Sequence, residues 1–417
     1  MKKNILAIKF YICTTTRGYN MLESICIKSG PNDNRIDFGF LCESILFYGK
    51  VRVIVDYRRL RYLFDRMSIR GLERLIKQGR IEVFIAEKHL GAMTFGENKS
   101  DKRYAFESIQ GVNDNYITEL YKAFELTTKD IRKSIKLTNE FCEIVNPFNY
   151  SSSLIESLNE DLDNREYIIN TMHSYISSNY PEVSISPFDI NINFTVHPGE
   201  DVKKMAGFSK ESISVESNLP IDKFLELDRR RGYAGTDFYS GYFLSLLETA
   251  GDIDTAAQYS SEIATREIYS NMIRFKVESL YMKNKKSTQE LDAFNEYVIK
   301  NCHSVAQAIN SYKLSFSKFM KILDTSDRFK GWLTESNDDI GLVAEYYKAL
   351  STDNSMFSSF PLKHMKFIFF AAAGFFLTPI QGIALGGLDS FFVDKIKNGW
   401  KPNQFVDNQL KPSLPKK

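Results

Sequence analysis

The sequence predicts an α/β or α+β N-terminal domain, residues 1–220, followed by a mainly α-helical C-terminal domain, residues 221–417. Three observations predict it. A chain of 417 residues is too long for one ordinary core. Lys50 to Glu87 reads strand, helix, helix, strand in under 40 residues, the size of a βαβ unit. Strand patterns occur before about residue 220 and are hard to find after it.

The elements follow in order. Asn4 to Cys13 reads as a first buried strand, because Lys9 interrupts the apolar run that a signal peptide would need. The run VRVIVD, ending at Asp56, is β-branched and suits a buried strand. Leu60, Leu63 and Phe64 fall at helical spacing, and so do Leu72, Leu75 and Ile76. Gly79 stands where a helix C-cap belongs, and RIEVFIA is the second strand. Asp114–Glu140 and Leu154–Asn179 read as helices, the latter stopped by Pro181. Ile190, Ile192, Phe194 and Val196 alternate with polar residues, as in a strand exposed on one face. Residues 252–284 read as one long helix, and Ser287 with Glu290 as a capping box for the next. Phe316, Phe319, Ile322 and Leu323 repeat the helical spacing.

Composition narrows the function classes. The 54 basic and 52 acidic side chains leave a net charge of +2, so no global attraction to nucleic acid or anionic lipid is implied. The five cysteines include no CxxC pair, and the five histidines no HxxxH or HExxH, so neither a disulfide framework nor a metal site is signalled. Walker A, GxGxxG and GxSxG motifs are absent from the sequence. No cofactor is signalled either.

Phe367 to Leu388 runs 22 residues without a charge. As one helix it would span about 33 Å, enough for a bilayer. Pro379 and Gln381 interrupt it, which favours a buried helical hairpin over residues 367–393. Membrane insertion is the alternative, with Phe370, Phe375, Phe376 and the Gly382–Gly386 spacing as the inserting residues. The C-terminal residues Gly387, Asp389, Ser390, Phe391, Asp394, Lys395, Gly399, Trp400, Pro402 and Phe405 form a DSFxxDKxxxGWxPxxF pattern. With it, the last ~100 residues resemble a group of uncharacterised bacterial proteins. The resemblance implies a bacterial origin and brings no activity with it.

Two constellations could carry chemistry. Asp56 ends one strand and Glu87 follows the other, so two carboxylates could hold a divalent cation at the carboxyl ends of strands. Arg58, Arg59 and Arg61 follow Asp56 and could bind phosphate. The bland reading is a helix cap with solvated arginines. Arg229, Arg230 and Arg231 sit among glycines and aromatics and could grip a phosphate or an RNA end; the bland reading is an exposed helix end. The leading expectation is a cytoplasmic binding or regulatory protein whose partner is another protein, in a setting such as stress response or phage defence. The alternatives are a membrane-acting effector using the C-terminal hairpin, and a metal-dependent nuclease acting on nucleic acid through Asp56 and Glu87.

Overall fold

A computed structural model describes residues 22–28, 36–86, 88–96, 102–110, 116–151, 153–199, 211–232, 237–265, 267–334, 341–350 and 400–417. The expected strand at residues 4–13, Glu87 and the apolar segment 367–393 lie outside the described residues.

Five strands form an all-parallel sheet: β1 (Ser24–Lys28), β2 (Lys50–Val55), β3 (Ile81–Ala86), β6 (Asn146–Phe148) and β9 (Glu262–Ala264). Their order across the sheet is β6-β3-β2-β1-β9. β1 is buried at every position, and β2 and β3 alternate little. Strands covered on both faces read as near-continuous apolar runs for this reason. Both edge strands have only three residues, and Pro147 sits in one of them. Short edges and an edge proline limit pairing with other chains.

The expected βαβ unit is present. Helices α1 (Phe38–Phe47), α2 (Tyr57–Met67) and α3 (Ile69–Lys77) connect β1 to β2 and β2 to β3. Gly79 has φ +67°; its N–H bonds the Ile76 carbonyl, and Arg80 N–H bonds that of Leu75. This doubly bonded C-terminal turn requires a left-handed residue, which glycine supplies without a Cβ penalty.

A second, antiparallel sheet is built from β4 (Lys88–Phe95), β5 (Arg103–Gln110), β7 (Ile192–His197) and β8 (Ser212–Ser217), in the order β4-β5-β8-β7. Its core holds Tyr175, Phe238, Tyr242 and Phe243, with rings at tilted or edge-on angles. The core around the parallel sheet joins Val51, Val53 and Leu72 to Phe294, Phe319, Phe329 and Phe405 from the last third of the chain. Phe405, in the resemblance pattern, stacks on Phe329 at 4.9 Å.

Several expectations need correction. Residues 252–284 are not one helix: a helix Phe238–Tyr259 ends at Ser260 in the left-handed region, β9 follows, and helices Glu267–Lys276 and Glu278–Tyr297 come after it. β9 therefore places a strand in the half that reads as helical. Ser287 and Glu290 lie inside the helix Glu278–Tyr297 and form no capping box at its start. Ser287 instead donates to the buried Glu262, and Glu290 accepts from the Leu342 N–H. The helix expected at Asp114–Glu140 is two, broken where Lys129 has φ +54° and Asp130 caps Ile131–Ile144. Among the described residues, no helix is long and apolar enough to cross a membrane.

Candidate functional site

The chain runs outward from β1 through β2 and β3 to β6, then returns to lay β9 on the other side of β1. The strand order therefore reverses between β1 and β9. In open α/β sheets, ligands gather beyond the carboxyl ends of the strands at such a switch point. Lys28 is the last residue of β1, and Thr265 follows the last residue of β9. The helix Phe238–Tyr259, which leads into β9, supplies Glu248 and Asp252 one turn apart.

These side chains form one buried cluster. Lys28 Nζ lies 2.7 Å from Glu248 Oε2 and 2.8 Å from Asp252 Oδ1, and all three side chains are 3–4% exposed. Tyr150, two residues past β6, is 3.3 Å from both Glu248 carboxylate oxygens through its hydroxyl. Its ring lies beneath the Lys28 ammonium, 4.8 Å from Nζ to the centroid. The Thr265 hydroxyl donates to Asp252 Oδ2. Gly251 makes room for the tyrosine: a Cβ there would stand 3.0 Å from the Tyr150 ring.

The electrostatics follow from burial and pairing. Burial opposes the Lys28 charge, but Asp252 and Glu248 outweigh it and hold its pKa well above the usual range. Burial pushes the Asp252 carboxyl up, with Lys28 pulling the other way. Burial also raises the Tyr150 phenol. One ammonium thus faces two carboxylates, with hydroxyl donors on either side. The arrangement can hold a proton, hold a hydrogen-bonding ligand in exchange for one of its own partners, and lock β1 to the long helix. Groups of three or more metal-ligating side chains do not converge among the described residues.

The residues singled out from sequence fall elsewhere. Asp56 caps helix α2, accepting from Arg59 N–H at 2.9 Å, and pairs with the buried Arg59 guanidinium. Its carboxylate is thereby occupied, and so is the Arg59 fork expected for phosphate. Arg58 is exposed. Arg229, Arg230 and Arg231 are exposed at the end of the helix Ile221–Arg230. Arg230 pairs with Glu226, and Arg231 with Glu182 at 2.7 Å over the Tyr180 ring. Glu87, Phe370, Phe375, Phe376, Gly382 and Gly386 lie outside the described residues.

Sequence reasoning missed the cluster, yet two signals were there. A lysine closes the apolar run SICIK just before the turn residues SGPND. Two of the three acids in the helix FYSGYFLSLLETAGDIDTAA, Glu248 and Asp252, stand four residues apart without a base in the stretch. Like charges so placed repel unless a cation from elsewhere sits between them. Comparisons of the chain with protein-family models, with curated proteins and with solved structures find no match.

Proposed function

We propose that the chain is a cytoplasmic binding protein with a regulatory role, which recognises a small polar ligand at the carboxyl edge of its parallel sheet and acts through association with another protein. The observation that supports this reading is the placement of the Lys28–Glu248–Asp252 cluster at the switch point. Its charged groups are turned on one another, which suits recognition and locking better than turnover. A ligand bearing hydroxyl or amine donors would compete for Glu248 and Asp252 and loosen the hold of β1 on the long helix. Association with a partner would respond to that release.

Native mass spectrometry of the full-length protein from its own cells tests the reading, with Glu248→Gln for comparison. That variant keeps the Lys28–Asp252 pair and so keeps the fold. The expected result is a small bound mass, and a co-purifying protein, on the wild type and neither on the variant. Wild-type protein at its bare chain mass and without a partner overturns the proposal.

A further inference from the structure

At the opposite, amino edge of the parallel sheet lies a polar cavity of about 460 Å³. Gly49, which precedes β2, and Gly79 and Arg80, which precede β3, form one side of it. Asp327, Lys330 and Gly331, from the helix Asp327–Thr334, form the other. Its size falls within the range of pockets that hold small molecules, roughly 300–1,000 Å³.

Lys330 is the unusual member. It is 8% exposed, and its Nζ donates to the Ile45 carbonyl at 2.8 Å. No carboxylate pairs with it among the described residues. An ammonium has three N–H donors, so the carbonyl leaves two unused. Burial pushes the Lys330 amine down to about 8; the Arg80 charge adds to this, and the Asp327 carboxylate pulls the other way. A buried cation without a carboxylate in direct contact is costly and is normally paired or coordinated.

The second cation, Arg80, is nearly buried, with its side chain 11% exposed. It reaches Asp327 Oδ1 at 2.5 Å and the Leu323 carbonyl at 3.3 Å. Asp327 is 69% exposed, so this carboxylate can swing into water at little cost. The cavity therefore offers two cations, the Lys330 ammonium and the Arg80 guanidinium, that share a single exposed and exchangeable carboxylate, Asp327. Gly79 and Gly331 both border open space, since a Cβ at either would meet nothing within 4 Å.

We infer that this cavity binds a phosphate-bearing small molecule, with the phosphoryl group between Lys330 and Arg80 and Asp327 displaced into solvent. A doubly charged oxyanion matches the two cations, and its oxygens accept both the spare ammonium donors and the guanidinium fork. The volume leaves room for a compact group beyond the phosphate. The site stands apart from the switch-point cluster and does not depend on the reading given to it.

Calorimetric titration of the full-length protein with inorganic phosphate and with phenyl phosphate tests this, against sodium chloride at equal ionic strength. Saturable binding of at least one phosphate probe, and none of chloride, is expected. Tighter binding of phenyl phosphate would mark an esterified phosphate as the ligand; tighter binding of inorganic phosphate would mark the free ion. Lys330→Met, which removes a buried charge and leaves the fold intact, weakens binding at least tenfold. Asp327→Asn strengthens it several-fold. Gly331→Leu adds a large side chain to the lining and weakens binding at least tenfold. Absence of saturable binding by either probe, or wild-type affinity in both Lys330→Met and Gly331→Leu, overturns the inference.

Discussion

Replacing Lys28 by methionine would leave Glu248 and Asp252 buried, four residues apart, with no cation between them. The substitution removes two ion pairs, of 2.7 and 2.8 Å, between groups no more than 4% exposed. Breaking a buried ion pair from one side costs about 3–5 kcal/mol, because the surviving charge stays desolvated. Here two charges survive, so Lys28→Met should fall at the upper part of that range. Urea unfolding of the full-length protein, followed by tryptophan fluorescence and far-UV circular dichroism, measures the loss. The pH dependence follows from the sign of the shift. The Asp252 carboxyl is already raised by burial and rises further without Lys28. An acid with a raised folded pKa contributes stability that is complete below its unfolded pKa, about 4, and is lost as pH rises through the folded value. The deficit of Lys28→Met is therefore greatest at neutral pH and shrinks toward about pH 4. Adding Glu248→Gln and Asp252→Asn removes both orphaned charges and restores most of the loss. A loss under about 1 kcal/mol, or a triple variant no more stable than the single one, would refute the reasoning.

Three more outcomes are expected. Burial raises the Glu43 carboxyl to about 7, so stability falls as pH climbs from about 4.5 to 7, and Glu43→Gln flattens that slope by about 2–3 kcal/mol after allowing for partial exposure; a urea series across this pH range measures it. Gly39→Ala in α1 destabilises by about 2 kcal/mol or more in equilibrium unfolding, the reverse of the usual gain for alanine in a helix, because its Cβ would meet the Ala306 carbonyl at 2.3 Å. Asp56→Ala removes a helix cap and strands the buried Arg59, costing about 2–4 kcal/mol by the same measurement, while Asp56→Asn keeps the cap and loses less.

The part of the fold legible in the sequence was the part whose signals are local. β2, α2, α3 and β3 follow from β-branched runs, helical spacing and the glycine at position 79, and each cue lies within a few residues of the element it sets. β9 was hidden because three residues carry no periodicity, and because Ser260 ends a helix in a conformation that serine seldom adopts. Ser287 and Glu290 matched a cap by spacing, but their partners are Glu262 and the Leu342 N–H. The switch-point cluster was the least legible feature. Its members are spread from Lys28 to Thr265, and only the return of the chain to the far side of β1 brings them together. Asp56 was correctly placed at the end of a strand, and its local neighbours decided its role.

The late arrival of β9 sets a timetable for the ribosome. β1 is complete at residue 28, but its neighbour on one side leaves the tunnel only after residue 264. At roughly 5–20 residues per second, tens of seconds separate the two events. Throughout that interval Ile25 and Ile27 have a bare edge beside them, and Lys28 has water in place of its carboxylates. The solvated lysine then acts as a gatekeeper, a charge at the end of an apolar strand that discourages pairing with other nascent chains. Its neutralisation by Glu248 and Asp252 comes just before the correct strand is delivered, so the group that locks the finished sheet also guards the unfinished one.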